Sequence, residues 1–158
     1  SMNEYYIKNK SNDDLFQSFE KYCKKFKENI NNEKLNIIKK SLTFLKNKAK
    51  TIEDIYNNSK FIINDEIIIE NDEMSLLTEN AKNIVKSFMK KVNEIEVFNR
   101  ETLEPIINNL ISENQTNFKG VGQPLRIILT GSKFGPGIYD IIISLGKKRV
   151  IDRLSKVG

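Results

Sequence analysis

Apolar residues recur at helical spacing over the first two thirds of the chain. Three runs with this period, at 35–45, 76–92 and 100–113, each predict an amphipathic helix with one face in a core. The clearest run comes before them, and its aromatic members are assigned to that core. Its members are Leu15, Phe16, Phe19, Tyr22, Cys23 and Phe26.

Short polar segments indicate where these helices begin. Ser11–Asp14 combines a capping side chain with acidic residues at the positive end of the helix dipole, and Asn31–Glu33 starts the next helix in the same way. Thr51–Asp54 resembles a capping box with Asp in place of the usual Glu. In the helix that begins at Arg100, Pro105 is expected in the first turn, where a missing N–H is tolerated.

Two branched aliphatic runs leave the choice between strand and helix open. Propensity alone favours buried strands at 125–129 and 138–145, whereas Pro136 before the second run and Gly146 after it also fit a helix. Ile67–Ile69 has strand propensity, and its acidic surroundings indicate a boundary between two subdomains. After the last run, a terminal amphipathic helix is predicted with three inward residues, Val150, Ile151 and Leu154.

The distribution of glycine singles out one segment. All seven glycines lie at or beyond Gly120, and five of them, with two of the three prolines, fall between Gly122 and Gly146. Glycine is favoured where φ is positive or where another backbone or a ligand approaches the main chain closely. Special backbone geometry is therefore concentrated in this segment.

The composition excludes several classes of catalytic and metal site. The chain has no histidine and a single cysteine, Cys23, which excludes Ser–His and Cys–His catalysis and histidine-rich metal centres. No Asp-x-Asp pair or EF-hand loop suggests a carboxylate metal site. We therefore assign no catalytic and no metal-ligating residue. No apolar run approaches the roughly eighteen residues that span a membrane.

The charge points towards a polyanionic partner. The net charge is +5 and the pI is near 9.2, although the lysine-rich composition also follows from an AT-rich coding sequence. The four arginines all lie at or beyond Arg100. Their rigid fork suits phosphates and base edges better than the point charge of lysine does.

Three ordered blocks, Phe118–Gly131, Gly135–Asp140 and Leu145–Leu154, resemble the C-terminal end of bacterial glutamyl-tRNA synthetases. That family has a Pro-Leu-Arg-x-x-x-Thr-Gly block, a Pro-Gly-Leu-Phe-Glu-like turn and a closing Leu-Gly-Lys-Glu-x-x-x-x-Arg-Leu helix. Further upstream, Leu45–Ile52 and Asn3–Ile7 resemble parts of the family's first anticodon-binding subdomain. The resemblance therefore covers essentially the whole chain and is strongest at its end.

The resemblance implies an all-α fold, a helical bundle followed by an α-helical cage, with anticodon-binding subdomains at residues 1–72 and 73–158. Both ambiguous runs near the C-terminus then become helices. The family's catalytic half is a Rossmann domain with HIGH and KMSKS-like motifs that uses ATP and Mg²⁺, and this chain has neither motif. Since Ser1-Met2 also looks like a protease scar, we expect a non-catalytic fragment of a longer, cytoplasmic ligase, without a cofactor of its own.

The resemblance also implies the partner and the residues that contact it. The partner is tRNA(Glu), with tRNA(Gln) as a further candidate, and the protein is expected to be a monomer. Arg126 matches the position that contacts the anticodon, while Gly135, Pro136 and Ile138 match a turn whose backbone and apolar surface pack against a base. Lys48 matches a position, usually arginine or glutamine, that inspects the third anticodon base, and lysine there loses the bidentate geometry.

Without the resemblance, the same residues have simpler interpretations. Arg126 would form an ion pair with Asp140 or Asp152, Tyr139 would belong to the core rather than stack on a base, and Lys147–Arg149 would be a solvated helix face. The alternative function is a non-enzymatic helical module that binds a protein or another acidic partner through a basic face.

Overall fold

The computed structural model describes Ile7, residues 9–27 and residues 29–157. Within these residues the chain is all α-helical and contains no β-strand, which confirms the predicted fold class. None of the described helices has both the length and the apolar surface that crossing a bilayer requires. The helices are α1 (Asn12–Phe26), α2 (Asn32–Leu45), α3 (Ile52–Asn58), α4 (Lys60–Ile63), α5 (Asn71–Met74), α6 (Glu79–Glu94), α7 (Arg100–Glu113), α8 (Phe118–Thr130), α9 (Ile138–Leu145) and α10 (Lys147–Ser155).

These helices form two compact units. The first unit ends at Asp65 and contains α1 to α4, and the second begins at Glu66 and contains α5 to α10. The assignment of residues 1–72 and 73–158 to two anticodon-binding subdomains stays a prediction.

In the first unit, α1 packs against α2 and α3, and α4 packs against α2 and α3. The buried side chains come from the apolar faces that the periodicity predicts. Lys34 on α2 joins the end of α4 to this core, because its Nζ donates to the Ile63 carbonyl at 2.6 Å and pairs with Asp65 at 2.9 Å. Fully buried side chains include Leu15, Phe19, Ile38, Leu42, Leu45, Ile55 and Ile62.

The helix starts of the first unit are confirmed at the level of individual hydrogen bonds. The Ser11 Oγ accepts from the Asp14 N–H at 3.2 Å, and the Asn31 Oδ1 accepts from the Lys34 N–H at 2.8 Å. Thr51 and Asp54 form the predicted capping box. Main-chain N–H donation to the Asp54 carboxylate, first of all from Lys50, holds its pKa below the usual value.

The assignment of the whole aromatic stripe of α1 to the core is wrong at its end. Phe19 is fully buried, but Phe16 and Tyr22 are only half-buried and Phe26 is 61% exposed. Phe26 is the last residue of α1, and its ring contacts that of Tyr22 at 5.2 Å between centroids.

The second unit is built around α8, which packs against α6, α7, α9 and α10. Its central position explains why α8 is apolar on almost every side, with Val121, Leu125, Ile127, Ile128 and Leu129 all buried. Both ambiguous aliphatic runs are therefore helical, as the resemblance implied, because helical partners surround them. Of the three residues predicted to face inward on α10, Val150 and Leu154 are buried and Ile151 is half-buried.

Three details of the second unit differ from the sequence-based expectations. α6 begins at Glu79 rather than near Leu76, because the Thr78 hydroxyl caps it by accepting from the Ala81 N–H at 3.2 Å. Pro105 is the sixth residue of α7 and so lies in its second turn. Ile67–Ile69 is not a strand, and its main chain instead lies against the end of α8 at Gly131.

Gly131→Ala should destabilise the second unit by about 2 kcal/mol or more. A left-handed φ costs a non-glycine residue about 1–2 kcal/mol, and a Cβ at this position would lie 2.6 Å from the Ile68 carbonyl oxygen. Urea unfolding followed by circular dichroism measures this loss. Gly137→Ala is the matched control, because its φ is −58° and its Cβ would meet nothing closer than 3.5 Å. Equal losses in the two variants would contradict the argument.

Cys23 should be nearly inert towards thiol reagents in the folded chain. Burial raises the pKa of its thiol from 9.0 to about 11, so the reactive thiolate is about a hundredfold scarcer at pH 8 than for an exposed thiol. The stabilisation from burying the neutral thiol is complete below pH 9 and is lost as the pH rises through about 11. The rate of thiol–disulfide exchange with and without denaturant measures the loss of reactivity. Unfolding at alkaline pH, compared between the unchanged chain and Cys23→Ala, measures the loss of stability.

Candidate nucleic-acid interface

The loop at residues 131–137, between α8 and α9, is the most unusual backbone segment of the second unit. Gly131 ends α8 with φ 83°, and its N–H donates to the Ile127 carbonyl at 2.7 Å. Thr130 then orders the next residue, because its hydroxyl oxygen accepts from the Ser132 N–H at 3.2 Å and donates to the Arg126 carbonyl at 2.8 Å. The 131–137 loop therefore starts from a fixed direction.

Arg126 reaches from α8 to the far side of this loop. Its Nε donates to the Pro136 carbonyl at 3.3 Å, and its Nη1 makes a longer, 3.5 Å contact with the Lys133 carbonyl. The guanidinium is half-buried, and burial lowers its pKa. Among the described residues Arg126 has no ion pair, so the proposed pairing with Asp140 or Asp152 is wrong. Several of its five N–H donors remain for a ligand.

The other predicted contact residues of this loop differ in what they expose. Gly135 is exposed with φ 142°, and no atom lies within 4 Å of the place where a Cβ would stand. Pro136 is half-buried and uses its carbonyl to hold Arg126. The side chain of Ile138 is only 1% exposed, so its apolar surface belongs to the core and only its main chain at the start of α9 faces the loop.

Tyr139 belongs to the core, as its simpler interpretation held. It is 9% exposed and contacts Phe118 at 6.1 Å between ring centroids. Its outer face is covered by the Arg100 guanidinium, whose Cζ lies 4.6 Å from the ring centroid. The described contacts of Tyr139 thus leave little of its ring for a base.

Lys48 lies in the first unit, in the turn between α2 and α3. It is exposed and has φ 63°, an uncommon conformation for a residue other than glycine. Hydrogen bonds fix the chain on both sides, from the Asn58 Nδ2 to the Leu45 carbonyl at 2.9 Å and from the Lys50 N–H to Asp54 Oδ2 at 2.9 Å. The turn therefore presents Lys48 to solvent. Of the other upstream segment of the resemblance, Asn3–Ile7, only Ile7 is among the described residues.

Sequence reasoning missed the most exposed side chain of the 131–137 loop. Phe134 is 74% exposed, and the Lys133 Nζ lies 5.4 Å from the centroid of its ring. The available signal was an aromatic residue between two glycines in a segment of special geometry. This signal could not predict the exposure of Phe134, because the exposure of a loop side chain depends on the path of the loop. Hydrophobic periodicity describes only helices and strands.

Two basic residues near the C-terminus have structural roles. Arg153 is 5% exposed and donates from Nη1 to the Leu129 carbonyl at 2.6 Å, in the last turn of α8. Lys147 donates to the Ile95 carbonyl at 2.6 Å and to the Asn93 carbonyl at 3.1 Å, at the end of α6. Each cation therefore donates to carbonyls at the C-terminal end of a helix, where the helix dipole is negative. Within the run Lys147–Arg149 only Lys148 is exposed, so the interpretation of the run as a solvated helix face is wrong for Lys147 and Arg149, which are half-buried.

Comparisons with known proteins agree on one family. The family described as "Anticodon binding domain" matches residues 13–157. A glutamate–tRNA ligase of Pelagibacter ubique is 56% identical over 154 residues, which are 98% of this chain and 33% of that protein. A second relative, glutamate–tRNA ligase 2 of Thermoanaerobacter pseudethanolicus, is 36% identical over 78 residues. The chain thus spans about a third of the first relative's length.

The fold also matches solved structures. A glutamate–tRNA ligase of Elizabethkingia meningosepticum, solved in complex with its amino acid, superposes with a TM-score of 0.81 at 22% identity, over 98% of this chain and 30% of that one. A glutamate–tRNA synthetase of Elizabethkingia anophelis gives a TM-score of 0.77 at 23% identity. At this level of identity the likeness establishes the helical fold.

Arg126→Ala should lower the free energy of unfolding by about 1–2 kcal/mol, and Arg153→Ala should lower it by more. A hydrogen bond from a charged donor contributes about 1.5–3 kcal/mol, and the bonds of Arg126 are long and half-exposed whereas that of Arg153 is short and buried. Urea unfolding of the two variants gives the order directly. A larger loss for Arg126→Ala would mean that this arginine mainly holds the fold.

Proposed function

This chain belongs to the anticodon binding domain family, and we propose that it is the tRNA-reading part of a glutamate–tRNA ligase that binds the anticodon arm of tRNA(Glu). The observation that carries this proposal is the 56% identity to a glutamate–tRNA ligase over 98% of the chain. Identity at this level over all of both units supports a common role for the whole region, not only a shared fold.

The chemistry of the 131–137 loop supports the proposal. Anticodon bases are unpaired, so a protein reads them by stacking and by hydrogen bonds to their exposed edges. Arg126 supplies unused guanidinium donors, and the open main chain at Gly135 lets a nucleotide approach the backbone closely. We propose that Arg126, Gly135, Pro136 and the main chain of Ile138 form the contact surface of the second unit.

The exposed turn of the first unit supports a second contact. Lys48 offers a solvated cation on a backbone that is fixed at both ends, and we propose that it meets the third anticodon base or a neighbouring phosphate. The two units would then correspond to the first and second anticodon-binding subdomains. A lysine makes one point contact rather than a fork, so we infer weaker discrimination there and include tRNA(Gln) as a further substrate.

We place catalysis in the remainder of the parent enzyme. That part would bind ATP and Mg²⁺ and join glutamate to the tRNA, while this chain would supply only recognition. In the part of the chain that the structure describes, no group of three or more Cys, Asp or Glu side chains is placed to hold a metal ion. We further propose that the parent enzyme is cytoplasmic and that this region acts as a monomer.

A tRNA-binding measurement tests the proposed function. The chain should bind a tRNA(Glu) transcript, and replacing the three anticodon bases should weaken binding by about 1–3 kcal/mol, the value of one good base-edge contact. Lys148→Ala is the control, because loss of an exposed cation should weaken all tRNAs alike and reduce the salt dependence. Equal affinity for both anticodons would instead favour a basic module that binds acidic partners without reading sequence.

A further inference from the structure

Phe134 is exposed in a way that core packing does not explain. Its side chain is 74% exposed, although it is a large apolar ring. Its neighbours along the chain are Lys133 and Gly135, so the ring stands between a cation and a residue without a side chain. A single exposed ring beside a cation is instead the arrangement by which proteins hold unpaired nucleotides.

The main chain that carries Phe134 is fixed, so the ring is presented from a defined position. The Phe134 N–H donates to the Ser132 Oγ at 3.1 Å, and the preceding carbonyl, that of Lys133, faces the Arg126 Nη1 at 3.5 Å. On the other side, the Pro136 carbonyl accepts from the Arg126 Nε at 3.3 Å. A platform that is already ordered loses less conformational entropy when it binds.

The surroundings of the ring suit a nucleotide. The Lys133 Nζ lies over one face of the ring, 5.4 Å from the centroid, so a base would stack on the other face and this cation would be a nearby partner for a phosphate. Gly135 adds no side chain, and the space where its Cβ would stand is empty to 4 Å. Gly135 therefore puts no side chain in the way of an RNA backbone that passes beside the ring.

We propose that Phe134 is a stacking platform for one unpaired base of the bound RNA, with Lys133 contacting a phosphate of the same nucleotide. This inference rests on the proposed function and adds a residue that works by ring stacking rather than by hydrogen bonding. Every base has a π-face, so Phe134 contributes affinity for an unpaired nucleotide, and Arg126 contributes the choice of base.

The first experiment measures binding of the full chain to an RNA hairpin with the anticodon stem and loop of tRNA(Glu). Phe134→Ala should weaken binding about 5- to 150-fold, the range that alanine substitution gives for one stacked base. Phe134→Leu should lose as much, because it keeps the apolar volume but not the ring, whereas Phe134→Tyr should bind within about twofold of the unchanged chain. Circular dichroism confirms that all variants are folded.

Phe26→Ala is the matched control. Phe26 is also an exposed aromatic residue, 61% accessible, and the Lys25 Nζ lies 5.3 Å from its ring. Its removal should leave RNA binding unchanged. Equal weakening by Phe26→Ala and Phe134→Ala, or binding by Phe134→Ala as tight as that of the unchanged chain, would overturn the inference.

The second experiment identifies the base. Each loop nucleotide of the hairpin is replaced in turn by an abasic nucleotide, and one replacement should weaken binding to the unchanged chain but have no further effect on Phe134→Ala. Additive losses at every position would overturn the inference. If the unchanged chain does not bind the hairpin, the proposed function falls as well; if Arg126→Ala weakens binding and Phe134→Ala does not, only the role of Phe134 falls.

Discussion

The left-handed turn at Gly131 is the constraint on which the exposed loop of the second unit depends. Its φ of 83° and the closeness of the Ile68 carbonyl leave no space for a side chain. Because α8 ends there, the chain leaves the centre of the second unit and returns only at Ile138. The loop is therefore a direct consequence of where the central helix has to stop.

Main-chain carbonyls are partners of two arginines around this turn. Arg153 binds the Leu129 carbonyl from the buried side, and Arg126 binds the carbonyls of Lys133 and Pro136 from the loop side. A carbonyl satisfies part of a guanidinium without neutralising its charge. Arg126 can therefore order the loop and keep a positive charge for an anionic ligand at the same time.

Other cations also donate to main-chain carbonyls, so the net charge of +5 does not all serve a polyanionic partner. Lys34 and Lys147 donate to carbonyls at the ends of α4 and α6, so part of the basic character supports the fold. The proposed contact with RNA then depends on a few placed groups, namely the turn at Lys48 and the 131–137 loop, and less on a continuous basic surface. Such an interface reads shape and unpaired bases more than bulk charge.

The sequence alone determined the local features of this protein. Capping at Ser11, Asn31 and Thr51 was predictable because in each cap the side chain accepts from a main-chain N–H only three residues further along. The helical spacing of apolar residues also identified most of the core. An ordered set of motifs indicated the family and, through it, that both aliphatic runs near the C-terminus are helices.

Tertiary structure decided everything that depends on a distant partner. The ion pair expected for Arg126 gave way to carbonyls of a loop up to ten residues away, and Ile138 turned into the core while Phe134 turned out of it. Periodicity says which residues share a face of a helix, but a loop between helices has no period. The exposure of its side chains is therefore set by where α8 and α9 pack.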